Sequence, residues 1–506
     1  MIDADSMKQN ELDGNRRQRL SVILVCLLSA LAAITICSKS SPIYPFNDWQ
    51  DANCYFTVGK SILAGVVPYR DLFEQKGPFI YFIHAAAALI SRDTFFGMYL
   101  IETVFAAVFL YWSYKSVELF CGRKAIYTVP FLALVVFTSR AFCHGDSAEE
   151  LCAPFLAYTV FVALKAVRNR SFPADRESIM IGISAACVFW TKFSLCGLFA
   201  GWFAAYAIDM LIHKKWGRIL RAAASIAAGL VIGTLPWILY FGIHHAAGDW
   251  LEVYIYDNLF IYSNLEDGGS LISRVIGGLY HGIRNLYFFI AGFILMVIGG
   301  IYCVVRRWIP ELLYSCAMFA LAFFVSYVGG RSYQYYAFFL APFVCLGFVP
   351  LCSITDAFNE KKRFLKRGWC WGYLLLLAAA YALTPNRYLI GVEKKELPQY
   401  QFAEIISETE NATLLNYGFL DGGFYTTTGI IPNCRSFCEL NIPLVELRKL
   451  QDEFVAEGKC DYVVTRSGSL DGIDRNRLYS LVSTSVFFYE GSEHTYYLYR
   501  LTSLDR

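Results

Sequence analysis

Apolar runs long enough to cross a bilayer recur from residue 20 to residue 384 of this chain. A hydrocarbon core of ~30 Å takes about 20 apolar residues per helix. Eleven such runs lie near 20–38, 95–118, 126–139, 151–166, 178–191, 194–212, 219–242, 285–305, 311–328, 335–352 and 369–384. Of the 506 residues, 56% are hydrophobic and 17% charged, whereas a soluble domain carries roughly 25% charge. That deficit excludes an ordinary soluble enzyme, a disordered chain and a nucleic-acid-binding protein. With a net charge of +2, no global field points to a polyanionic partner. Many of the 16 cysteines, such as Cys26, Cys187 and Cys316, sit inside apolar runs and read as small hydrophobes. No CxxC pair or His/Cys metal spacing is present. The chain reads as an α-helical polytopic membrane protein.

Charge sets its expected orientation. The basic clusters Arg16/Arg17/Arg19, Lys115/Arg123/Lys124, Lys165/Arg168/Arg170, Lys214/Lys215/Arg218/Arg221, Arg306/Arg307 and Lys361/Lys362/Arg363/Lys366/Arg367 share one side if the short apolar run 78–91 does not cross. The positive-inside rule makes that side cytoplasmic, and 78–91 then reads as a juxtamembrane helix. The expected organisation is a cytoplasmic tail 1–19, a transmembrane domain 20–384 whose first external loop is 39–94, and an extracytoplasmic domain 385–506. Polar segments 39–76, 140–150, 248–269 and 329–335 fall outside, as does everything after about residue 385. That last stretch alternates apolar and polar residues at 413–417, 462–465, 485–489 and 495–501, with a helical pattern at 444–457, and reads as a small α/β domain. Cys434 and Cys438 lie in it, four residues apart, and are candidates to pair. The expected localisation is the plasma membrane, multi-pass, with the N-terminus cytoplasmic.

Chemistry concentrates in the first external loop. Asp51 and Tyr55 are four apart and share a helix face. Asp71, Glu74 and Lys76 follow in a turn-rich segment ending at Gly77-Pro78. A carboxylate beside an acceptor hydroxyl can act as general base, and a lysine can hold a phosphate as a point charge. The competing reading is a solvated loop with surface ion pairs. His84 and His144 are available as ligands, although an isolated histidine near an interface is commonly structural. Among in-span charges, Glu102 reads equally as a functional group or a paired structural one. The aromatic stretch Tyr254 to Tyr262 fits an interfacial belt or a groove wall. Asp421-Gly-Gly-Phe-Tyr425 reads as a glycine turn beside a strand.

The loop resembles the GT-C glycosyltransferases of the protein O-mannosyltransferase and aminoarabinose transferase type (glycosyltransferase family 39-like, bacterial branch). Asp51, Gly65-Val-Val-Pro-Tyr69-Arg-Asp71 and Glu74-Gln-Lys76-Gly-Pro78 carry the likeness, with one residue more between Gly65 and Tyr69 than the tightest form of the motif. Gly145-Asp146-Ser-Ala-Glu149-Glu150, Lys192 and Gly330-Arg331-Ser-Tyr-Gln-Tyr335-Tyr match further motifs in order. Tyr335 stands where the family usually has a histidine.

The resemblance implies a GT-C fold of about eleven transmembrane helices plus juxtamembrane helices. It implies transfer of one sugar from a polyprenyl-phosphate donor to an acceptor on the outer face, with inversion and with Asp51 as general base. Tyr55, Tyr69, Asp71, Glu74, Lys76, Asp146, Glu149, Lys192, Arg331 and Tyr335 are then the expected substrate-binding residues. Glu74 and Asp146 are candidates for a divalent metal ion, with no other cofactor expected. The acceptor, whether protein, glycan or lipid, is not named. The partners are the lipid-linked donor, the acceptor and the bilayer. A transporter or flippase of lipid-linked saccharides and a non-catalytic GT-C-like scaffold remain the alternatives.

Overall fold

The computed structural model describes residues 4–262, 271–357, 362–466, 468, 470, 478–489 and 491–502. Residues 2–3, the stretch 263–269 of the third external segment and Lys361 of the last basic cluster lie outside them. By compactness the chain divides into two discontinuous units. One comprises Met1–Ser38, Glu102–Gly233 and Arg274–Pro385; the other comprises Lys39–Ile101, Thr234–Ser273 and Asn386–Arg506. The first loop therefore folds with the C-terminal segment.

Eight helices among the described residues are long and apolar enough to cross a membrane: Arg16–Cys37, Phe96–Phe137, Ala148–Arg168, Asp175–Ile212, Trp216–Ile243, Ile272–Val305, Ile309–Tyr327 and Gln334–Cys352. The chain is a helical polytopic membrane protein. Two of these helices, Phe96–Phe137 and Asp175–Ile212, each take in two of the eleven runs. At 42 and 38 residues they hold twice the ~20 residues of one crossing, and Gly122 at φ +60° and Lys192 in extended backbone (φ −156°, ψ 95°) each break the helical path. The 3₁₀ turns Gly122–Thr128 and Phe193–Cys196 lie at these breaks. The last run is represented by a shorter apolar helix, Gly372–Leu383.

In the first unit, Ala148–Arg168 shows how sequence sets a helix end. The Ser147 hydroxyl accepts the Glu150 N–H at 3.1 Å, satisfying one orphan donor. Glu149 and Glu150 occupy its first turn and Lys165 and Arg168 its last, complementing the helix dipole. Gly197–Ile212 packs on Ile309–Tyr327 through Gly201, where a Cβ would stand 2.5 Å from the Ala317 carbonyl and 2.6 Å from the Met318 Cα. Small residues permit such approach, which van der Waals packing in lipid requires. Outward faces carry exposed apolar residues such as Ile212, Leu220 and Val305, consistent with contact with hydrocarbon.

In the second unit, the helix Gln50–Leu63 lies against Pro78–Ile90. The latter has 13 residues, about 20 Å, short of a bilayer core. The helices meet at Gly59, where a Cβ would stand 2.7 Å from the Ala85 nitrogen and the His84 Cβ. His84 is fully buried at this crossing; its Nδ1 lies 2.8 Å from the Ile80 carbonyl and its ring edge meets Tyr55. The C-terminal sheet has strands β1 (Leu414–Asn416), β2 (Tyr462–Arg466), β3 (Tyr479–Tyr489) and β4 (Ser492–Leu501). Their order is β1-β2-β4-β3, with β1 and β2 parallel and the other pairs antiparallel. Leu415, Tyr417, Val455, Cys460, Val463 and Tyr499 form its core with the helix Val445–Ala456. β3 begins six residues before the sequence pattern suggests. A register shift between Leu481 and Ser483 breaks the alternation there.

A Gly59→Val substitution should force the two helices apart. Overpacking of this kind costs about 1–3 kcal/mol, read as a lowered melting temperature in detergent with the protein still inserting into membranes.

Candidate functional site

Asp51 sits in the first turn of Gln50–Leu63, where the unpaired N–H groups of the helix give a partial positive charge. One turn on, the buried Tyr55 presents its ring 5.8 Å from the Lys76 ammonium. Glu74 is brought to the same place. Its Oε2 accepts the Lys76 N–H at 3.0 Å and the Tyr81 hydroxyl. Burial pushes the Glu74 carboxyl above its ordinary value, while Lys76, the Tyr81 hydroxyl and the Lys76 N–H pull it down and the charge of Asp51 adds to the rise. Glu74 and Lys76 are therefore held together beside Tyr55, one turn along the helix from Asp51.

Tyr69 and Asp71 hold this loop in shape. Tyr69 is fully buried at φ +72°, and its hydroxyl donates to the Lys76 carbonyl at 2.7 Å. Asp71 accepts the Val67 N–H at 2.8 Å and pairs with Arg70 at 2.8 and 2.9 Å. That arginine holds the Asp71 carboxyl below its ordinary value.

Residues that motif reading did not single out pin the loop from elsewhere in the unit. Arg435 donates to the Tyr69 carbonyl at 3.0 and 3.2 Å, and its own carbonyl accepts the Phe73 N–H at 2.8 Å. Asn258, in the π-helical segment Glu252–Ile261, donates to the Gln75 carbonyl at 2.8 Å. Lys39 and Asp48, both buried, pair at 2.5 Å beside the Tyr388 hydroxyl, anchoring the loop's entry. On the helix carrying Asp51, Thr57 donates to Asp421 at 2.6 Å and Lys60 to the Tyr425 carbonyl at 3.0 Å. Burial pushes the Lys60 ammonium down to about 8 despite the opposing charge of Asp421. The Asp421-Gly-Gly turn is thus a fold element. No local pattern could have paired these residues, which lie far apart in sequence.

The first unit holds a second grouping. Glu102 accepts the Ser38 hydroxyl at 2.9 and 3.0 Å and the Asp146 N–H at 2.7 Å, which makes it a structural anchor. The turn it holds is sharp, with positive φ at Cys143, Gly145 and Asp146. Lys192 pairs with Glu149 at 2.5 Å, and its ammonium lies 3.4 Å from the Tyr336 ring centroid and 5.5 Å from that of Tyr335. Tyr335 in turn stacks on Tyr333, 5.5 Å between centroids. An aromatic face therefore meets the lysine where the related motif has an imidazole. Arg331 lies half-buried at the start of that segment. Among the described residues no group of three or more His, Cys, Asp or Glu side chains is arranged to hold a metal ion.

Because the folded state raises the Glu74 carboxyl above 4.5, it binds that proton more tightly than the unfolded chain does. The resulting stabilisation is complete below that ordinary value and is lost as pH rises through the folded value. Melting curves of wild type and Glu74→Gln should therefore diverge with rising pH, the variant becoming relatively more stable at neutral pH.

No family model matches this chain, and no curated protein matches it in sequence. Solved structures do match. The crystal structure of ArnT from Cupriavidus metallidurans bound to undecaprenyl phosphate aligns over 95% of this chain and 97% of its own, at a TM-score of 0.61 and 10% sequence identity. The fold of this chain is that of ArnT.

Proposed function

We propose that this protein is a membrane glycosyltransferase. It moves a single sugar from a polyprenyl-phosphate donor to an acceptor hydroxyl on the outer face of the plasma membrane, inverting the anomeric centre. The observation that carries this reading is the hydrogen bond between the Glu74 carboxylate and the Lys76 N–H and the approach of Lys76 to Tyr55, one turn from Asp51, in a chain whose fold matches a protein bound to undecaprenyl phosphate. In the proposed step the acceptor oxygen attacks the anomeric carbon as the bond from that carbon to the phosphate oxygen breaks. The acceptor proton passes to Asp51. The leaving polyprenyl phosphate gains negative charge and takes its stabilisation from Lys76. Glu74, fixed by Tyr81 and the Lys76 N–H, orients the sugar, and Tyr55 offers it an aromatic face. Asp146, Glu149, Lys192, Arg331 and Tyr335 are proposed substrate contacts on their motifs alone. The basic clusters support a cytoplasmic N-terminus and an extracytoplasmic C-terminal segment.

A second reading, a transporter of lipid-linked saccharides, draws on Glu102, which is fully buried within the apolar segment Phe96–Phe137. Buried intramembrane carboxylates are expected of such proteins.

Purified protein given a panel of radiolabelled polyprenyl-phosphate sugars and a membrane extract should transfer label to an acceptor. Asp51→Asn should lower turnover by at least about 10²-fold, the lower end of general-base effects, while donor binding stays intact. Equal transfer by both proteins would remove Asp51 as the base. Movement of labelled lipid across vesicles, unaffected by that substitution and without transfer, would favour the transporter.

A further inference from the structure

Cys54 and Cys438 lie 384 positions apart in sequence, yet their Sγ atoms are 3.7 Å apart and both side chains are buried. Cys434, the partner that spacing suggests for Cys438, instead belongs to the sheet core with Cys460 and Val463. Cys54 follows Asp51 by one turn on Gln50–Leu63, the helix that Thr57 and Lys60 already tie to Asp421 and Tyr425. We propose that Cys54 and Cys438 form a disulfide in the mature protein, a covalent third tie between the helix bearing Asp51 and the C-terminal segment. The inference rests on the proposed orientation, which places both cysteines in an oxidising compartment.

Sulfur atoms at 3.7 Å reach bonding distance if each moves about 1 Å, a small side-chain rotation. The two thiols are oxidised by a disulfide donor of the thiol-oxidoreductase class. Two S–H bonds break and one S–S bond forms, and the donor's disulfide takes up two electrons and two protons to become a dithiol. Burial pushes both thiols above their ordinary values, and Asp421 and Glu74 add to the rise. Thiolate attack is therefore slow once the unit has closed, so oxidation belongs to folding and the bond then resists reduction. Two cysteines elsewhere provide an internal contrast. Cys121, whose thiol donates to the Val349 carbonyl at 3.6 Å, and Cys352 lie on the side that the basic clusters assign to the cytoplasm, and should stay reduced.

The test uses wild-type protein extracted from source membranes with thiols blocked under denaturing, non-reducing conditions, followed by peptide mass mapping. The expected result is one linked peptide pair containing Cys54 and Cys438, two hydrogens lighter than the sum of its parts, with Cys121, Cys352 and Cys434 all blocked as thiols. Cys438→Ser should leave Cys54 blockable and lower the melting temperature. Free Cys54 and Cys438, or a Cys434–Cys438 link, would overturn the proposal. In parallel, a membrane-impermeant thiol reagent applied to intact cells reports on Glu408→Cys, an exposed position of the C-terminal segment. Free thiols with labelled Glu408→Cys would leave the orientation standing and remove the disulfide. Free thiols without label would remove both.

Discussion

A backbone polar group in hydrocarbon has no water to bond, and this constraint shapes the whole chain. It commits most of the sequence to helices whose hydrogen bonds are internal. Polar chemistry is left to the segments between them, and irregular backbone must there find partners of its own. The loop carrying Asp51 meets that requirement with side chains. Asp71 takes the Val67 N–H, Glu74 the Lys76 N–H, Tyr69 gives to the Lys76 carbonyl and Arg435 to the carbonyl of Tyr69. Tyr69, Asp71 and Glu74 of the motif thus bond backbone within the unit.

Such bonding gives the C-terminal segment a physical role. Through Arg435, Asp421 and the Tyr425 carbonyl it holds both ends of the candidate site, the turn at Tyr69 and the helix beyond Asp51. General-base catalysis depends on sub-ångström placement. The helix Gln50–Leu63 already buries Ala52, Cys54, Tyr55, Phe56 and Val58, and the polar ties to Asp421 and Tyr425 add to that packing in fixing its rotation.

Much of the fold was legible in the sequence because hydropathy is a local property: the apolar spans, the short apolar helix Pro78–Ile90 and the C-terminal strands all follow from short windows. Where neighbouring spans end was less legible, since the extended backbone at Lys192 and the 3₁₀ turn Phe193–Cys196 leave no mark in composition. At the candidate site, motif and spacing single out Asp51, Tyr55, Glu74 and Lys76. The roles of Glu102 and His84 became distinguishable only once Ser38, Asp146 and Ile80 were seen bonding them. Arg435, Asn258, Asp421 and Cys438 carried no local signal, because their partners lie hundreds of residues away.

The account centres on Lys76 as the group that receives the donor phosphate beside Asp51. A structure of the protein in lipid nanodiscs with undecaprenyl phosphate bound tests this most directly. The account predicts phosphate oxygens within hydrogen-bond distance of the Lys76 ammonium, with the Asp51 carboxylate facing the position of the anomeric carbon. A phosphate seated away from Lys76, with Asp51 turned from it, would contradict it.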